Sequence, residues 1–279
     1  VMNTTHSMRD NYPSHTVVGH APAGTPAGPA VILLNRSSRL LRREYLRDLT
    51  DQGFTEIVTV ERANDAYTVE SLSIEFRNVR FILVEQEFNT GEAINLAMTY
   101  IQSESVVIVW STMGVPQGMD RAVASLREHP MRGCVVPLLR GERNEPLPTM
   151  EAPAFHRRSL RIIDLPVRGT GGRTIYPYDY VGLYNRNVFS RLNGFDPDIP
   201  HPFWQRLDFG FRVYLTGGDI PVVPAFRISY KSIPVPEDRT IDRSYARFFA
   251  RNLAVKVSSQ GARIPRGEVI RFALRSRLG

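Results

Sequence analysis

The sequence predicts an α/β fold built on one mostly parallel sheet flanked by helices. Three observations lead there. Short apolar runs recur along the first half of the chain, each followed by a stretch of about a dozen residues with helical spacing. The runs are continuously apolar rather than alternating, as in strands covered on both faces. With 279 residues, 42% of them hydrophobic, the chain is long enough to bury one large core.

Residues 1–29 are rich in Pro, Gly, Ala, Ser and Thr and show no periodicity, so a flexible lead-in is expected. AVILL at 30–34 is the first strand. Ser37 or Ser38 offers an N-cap for a helix carrying Leu40, Leu41, Tyr45, Leu46 and Leu49, which Gly53 closes. EIVTV at 56–60, NVRFILV at 78–84, VVIVW at 106–110 and GCVVPLL at 133–139 are further strands. Helices are expected near 66–76, over 89–102 behind a glycine turn, and from Pro116 to Glu128. Residues 140–175 read as loop, and RGTGGR at 168–173 as a mobile loop over the cleft. It fits neither the Rossmann nor the Walker glycine spacing. A strand is expected at 178–184, short helix around 188–192, helix near 206–216, strand at 219–223 and helix from about 239. A sheet of this kind places its ligands at the carboxyl ends of its strands.

No apolar run reaches the roughly 18 residues that cross a bilayer, and no charged start followed by an apolar stretch marks a signal peptide. Cytoplasmic residence, with peripheral attachment to a membrane as an option, is the expectation. The single cysteine, Cys134, lies in a strand-like run and reads as a buried small hydrophobe. The net charge of +7 is concentrated. Residues 239–279 hold ten basic and two acidic residues, which leaves the rest near neutral. Arg239, Arg243, Arg247 and Arg251 recur every four residues. That stripe reads as a solvated helix face, or as an attraction for an anionic lipid surface or a phosphate-bearing acceptor. No motif supports nucleic acid.

Several segments, in order, resemble family 2 glycosyltransferases of the GT-A fold. LLNR keeps the Asn35 and Arg36 of the turn after the first strand. VERAND puts Glu61 at the acidic end of the second, with Asp65 downstream. NTGEAINLA supplies Asn89, Gly91 and Asn95. GFDPDIPHPFWQRLDFGFR supplies Gly194, Phe195, Asp196, Trp204, Asp208 and Arg212. The resemblance implies a GT-A domain over 30–235, a flexible segment over 1–29 and a basic helical extension over 236–279. It implies transfer of a sugar from a nucleotide-diphosphate donor to a hydroxyl acceptor, a glycan or lipid-linked, with inversion. Asp208 would be the base. Asn35, Arg36, Glu61, Asn89, Gly91, Asn95, Trp110, Ser111 and Thr112 would line the nucleotide-sugar pocket. Arg173, Trp204 and Arg212 would serve phosphate or acceptor.

The chain departs from the family where it would hold a metal. The Asp-x-Asp expected after VVIVW is replaced by Trp110, Ser111 and Thr112. Leu207 stands for the Glu before the base, and Ser229–Tyr230 for a downstream His. Asp196 and Asp198 spell Asp-x-Asp but fall at another of the family's acidic positions. No cofactor is expected, and Mg²⁺ or Mn²⁺ has no support in the sequence. The reading is a metal-independent or weakly metal-dependent transferase. The alternatives are an inactive relative binding a nucleotide sugar or protein partner and, less favoured, a nicotinamide reductase, for which the Gly-x-Gly-x-x-Gly turn is missing.

Overall fold

A computed structural model describes residues 12–263, apart from 22–23, 25, 27, 37–38, 157–158, 168–170, 235, 255 and 259–260, together with Gly267. Ser37, Ser38 and Arg168 therefore lie outside the described residues, as does nearly all of the chain beyond 263.

A nine-stranded mixed sheet forms the centre. Its parallel heart is β2 (Ala30–Leu34), β3 (Ile57–Arg62), β4 (Val79–Val84) and β5 (Ser105–Trp110). All of β2 and β4 is buried, and β3 and β5 each have one strand-end residue that is not. This is the environment their continuous Val, Ile and Leu runs require. β6 (Cys134–Arg140) and β11 (Pro221–Ser229) form a second parallel pair. β10 (Gly182–Asn185) lies antiparallel between β5 and β6.

Both edges differ from the expectation. β1 (His15–Val18), inside the expected flexible lead-in, pairs antiparallel with β4, and His15 Nε2 lies 2.7 Å from the Tyr100 hydroxyl. Its partial burial, typical of an edge strand, leaves only a faint apolar signal. β9 (Gly172–Arg173) closes the other edge against the start of β11. The stretch read as loop also holds a hairpin, β7 (Met150–His156) and β8 (Ser159–Leu165).

Helices α1 (Arg39–Asp51), α2 (Ala66–Glu75), α3 (Thr90–Thr99), α4 (Met119–Arg127) and α5 (Arg186–Arg191) follow their strands as the alternation requires. α6 spans Pro202–Leu215 and α7 Arg243–Asn252. Past α7 the chain forms a short hairpin, β12 (Lys256–Ser258) and β13 (Gly261–Arg263), in place of continued helix. A smaller apolar cluster joins α6 to α7 through Phe203, Trp204, Leu207 and Phe248, so α7 is packed onto the domain. Among the described residues no helix is long and apolar enough to cross a membrane.

Candidate active site

The carboxyl ends of β2 and β5 lie side by side, with Leu34 paired to Trp110. Arg36, two residues beyond β2, lays its guanidinium 3.5 Å from the centroid of the Trp110 ring. It also forms a bidentate pair with Asp179, at 2.6 and 2.5 Å. The planar fork suits both contacts at once. Asp179 accepts a third hydrogen bond, 2.8 Å, from the Tyr230 hydroxyl, and its carbonyl takes the Trp110 indole N–H at 2.9 Å. Burial, with the Asp179 charge adding to it, pushes the Tyr230 phenol up, so it stays protonated and donating.

Asp179 and Tyr180 both sit at positive φ, 52° and 64°. That conformation is costly for a tyrosine, on the order of 1–3 kcal/mol. It persists because the Tyr180 hydroxyl bonds Gln205 at 2.7 Å and its carbonyl accepts the Tyr184 hydroxyl at 2.8 Å. The strained pair turns the Asp179 carboxylate toward the end of β2.

A cavity of about 290 Å³ opens beside this pair, lined by Arg36, Tyr178, Asp179, His201, Phe203, Arg206, Glu237 and Asp238. Arg206, in the first turns of α6, is 4% exposed. It faces the rings of Tyr176, Tyr178 and Tyr180 at 5.5, 5.9 and 5.2 Å and Glu237 at 2.7 Å. The Glu237 pair is close enough for strong attraction, but its angle is not that of a hydrogen bond. Burial is the largest influence and opposes the Arg206 charge, but Glu237, Tyr180, Tyr176 and Asp179 together outweigh it, so the guanidinium is held above its ordinary value.

The acidic metal ligands of the resemblance have no counterpart here. Trp110, Ser111 and Thr112 occupy the strand end beneath the Arg36 cation. Among the described residues no group of three or more His, Cys, Asp or Glu is gathered to hold a metal. A hard divalent ion wants oxygen ligands, and an arginine pressed on an indole is a poor neighbour for it. These residues do not fit the ion.

Asn35 donates to Glu61 at 2.8 Å and to Thr59 at 3.2 Å, and Glu61 also pairs with Arg42. The Asn35 Oδ1 is buried without a hydrogen-bond partner. Asn89, Gly91 and Asn95 are committed within the fold. Asn89 caps α3 in a capping box with Glu92 and accepts from Gln205 at 3.0 Å. Asn95 bonds both the N–H and the carbonyl of Phe195. A Cβ on Gly91 would stand 2.3 Å from the Gln205 side chain. The Asn-x-Gly motif thus docks α3 on α6 and on the Gly194–Phe195 turn.

Four expectations require correction. Asp208 is fully buried. Its oxygens accept from Arg212 at 2.8 Å and Asn252 at 2.7 Å, which leaves no access for an attacking hydroxyl. Arg212 also donates to the Leu192 and Gly194 carbonyls, so it fastens a turn and meets no phosphate. Trp204 is 7% exposed, bonds the Thr240 carbonyl and packs on Tyr245 and Phe248. Arg173 pairs with Asp219 and sits opposite Pro221, at the amino end of β11 and away from the cleft.

The basic stripe is likewise spent largely on the domain. Arg239 pairs with Glu151, Asp164 and Glu237; Arg247 with Asp196 and Asp198; and Arg251 with Asp196. Only Arg243 of the four lies exposed without such a pairing among the described residues. Asp179, His201, Arg206 and Glu237 escaped the sequence reading. One signal was available: Pro202 marks a first helical position, which starts α6 four residues earlier and moves Arg206 into its opening turns.

This arrangement, a parallel sheet with one antiparallel strand inserted and a cleft at its carboxyl edge, is the GT-A fold of nucleotide-sugar transferases. The comparisons with solved structures agree. The chain superposes on GalNAc-T7 with UDP, GalNAc and Mn²⁺ at a TM-score of 0.63 and 13% identity, covering 80% of this chain and 47% of that one. It matches the mannosyltransferase PcManGT from Pyrobaculum calidifontis, in complex with GDP-Man and Mn²⁺, at 0.52 and 15% identity, with 85% and 65% covered. It matches S. aureus TarS in complex with UDP-GlcNAc at 0.51 and 15% identity, with 78% and 61% covered. The chain therefore spans between about half and two thirds of the length of these proteins, and identities this low establish the fold alone. No known family pattern and no curated protein matches the sequence.

Proposed function

We propose that this chain binds a nucleotide-diphosphate sugar at the carboxyl edge of the sheet and transfers the sugar, with inversion, to a hydroxyl acceptor. Arg36 supplies the positive charge that a divalent ion would otherwise bring to the diphosphate. The observation that carries this reading is the Arg36 guanidinium held 3.5 Å over the Trp110 ring at the end of β5, where the resemblance would put a metal. A guanidinium fork is a ready bidentate ligand for phosphate oxygens. Asp179 holds it in place until a ligand arrives, and Arg206 adds a second cation across the cavity. Asn35, Glu61, Ser111 and Thr112 form the nucleotide side, with the unpartnered Asn35 Oδ1 free to accept from base or ribose.

Calorimetric titration with UDP-, GDP- and dTDP-sugars, with and without Mn²⁺, tests this. One donor binds without metal, and Arg36→Ala weakens it by about 1.5–3 kcal/mol, the worth of hydrogen bonds to a charged group. Binding that requires Mn²⁺ would sink the reading. A second reading, a donor-binding relative without transferase activity, is favoured by one observation, the burial of Asp208. Donor hydrolysis separates the two.

A further inference from the structure

With Asp208 sealed in the interior, an active site in this cleft needs another proton acceptor. The cavity offers four candidates, and their partners differ. Asp179 is bound on both oxygens by Arg36 and again by Tyr230. Glu237 faces Arg206 and accepts from the Tyr176 hydroxyl at 2.7 Å and from Arg239. Asp238 binds the Thr240 N–H at the exposed rim. His201 is the least committed of the four. Its Nδ1 has no hydrogen-bond partner, and its Nε2 lies 3.6 Å from Asp238, beyond hydrogen-bond length.

His201 also stands where its side chain does not serve the helix it precedes. It is the N-cap residue of α6, where Ser, Thr, Asp or Asn would bond the first turn, yet its side chain makes no capping bond. The backbone there does the holding: its carbonyl accepts from Gln205 and its N–H meets the Ser244 hydroxyl. The imidazole is instead turned into the cavity wall, 13% exposed, next to the Asp238 carboxylate.

Resting on the donor reading above, we infer that His201 is the general base of the transfer and that Asp238 orients and steadies its imidazolium. The Asp238 carboxylate faces Nε2, which leaves the unpartnered Nδ1 to take the proton of the acceptor hydroxyl. The acceptor oxygen bonds to the anomeric carbon while the bond from that carbon to the β-phosphate oxygen breaks. The electron pair of that bond leaves with the nucleoside diphosphate, and the hydroxyl proton passes to His201 and then to solvent. The charged groups that line the cavity with His201 are Asp238 and Glu237 from the segment after β11, Arg206 from α6, Arg36 after β2 and Asp179 after the β7–β8 hairpin.

Water can stand in for the unidentified acceptor, so release of nucleoside diphosphate from UDP-, GDP- and dTDP-glucose is the readout, on the whole chain and without metal. His201→Gln lowers release by roughly 100-fold or more, the usual worth of a general base, while the calorimetric donor affinity stays within about twofold of wild type, because the base does not hold the ground-state donor. Asp238→Asn, which removes the carboxylate facing the ring, lowers the rate of release and leaves the donor KM unchanged. A purely structural His201 would not produce that split. Release by His201→Gln at the wild-type rate overturns the assignment, as does a wild-type chain that binds donor and releases nothing. Absence of donor binding in the wild type would instead overturn the donor reading beneath it.

Discussion

Asp208 shows how a residue that matches a motif can have a different physical role. It is fully buried one turn from Arg212, and the two charges neutralise each other away from water. Burial pulls the Arg212 guanidinium down, and Asp208 opposes that pull. Breaking such a pair leaves an uncompensated buried charge, at a cost of about 3–5 kcal/mol. Asp208→Asn therefore lowers the melting temperature steeply, which a thermal melt reads directly; a variant as stable as wild type would restore Asp208 as a candidate base. Glu151 makes a second prediction at this scale. It is 1% exposed, and burial, aided by Asp164, pushes its carboxyl up to about 8. An acid raised in the folded state contributes stability that is present below its unfolded value and drains as pH rises toward the folded one. Wild-type stability should fall between pH 5 and pH 8 by more than that of Glu151→Gln, whose amide does not titrate. Parallel pH–stability curves for the two would contradict this.

At the scale of elements, α7 is bound through charge as well as through Trp204 and Phe248. Asp196 takes Arg247 at 2.9 Å and Arg251 at 2.6 Å; burial works against its charge, yet the arginines hold its carboxyl below the ordinary range. Asp196→Asn should loosen α7, so that limited proteolysis cuts near 243–252 before the rest of the domain; an unchanged digestion pattern would show that the aromatic contacts suffice. The central strands were readable in the sequence because double burial leaves continuous apolar runs: 30–34 was placed to the residue, and 78–84 and 106–110 to within one. β1, β7 and β8 were not, because half-exposed edge and hairpin strands carry mixed composition. The site fared worse for a related reason. The Arg36–Asp179 pair joins residues 143 apart in sequence, and no local spacing announces it. A motif match led to Asp208 because helical spacing alone cannot tell the cleft side of α6 from its core side.

At the scale of the molecule, the sheet order brings the ends of β2 and β5 together and sets Arg36 on Trp110. The strained turn at Asp179–Tyr180 closes against them. The fold is that of nucleotide-sugar transferases, while the strand end where such enzymes are expected to hold a metal here carries an indole, two hydroxyls and a guanidinium. The proposed donor site thus uses a resident cation, Arg36, in place of a recruited one. Its most direct test is a calorimetric titration of nucleotide sugars into the wild-type chain and Arg36→Ala, each with EDTA and with Mn²⁺. Wild-type binding should be equal in both conditions and weakened about tenfold or more by Arg36→Ala. Binding that appears only with Mn²⁺, or that is indifferent to Arg36, would contradict it.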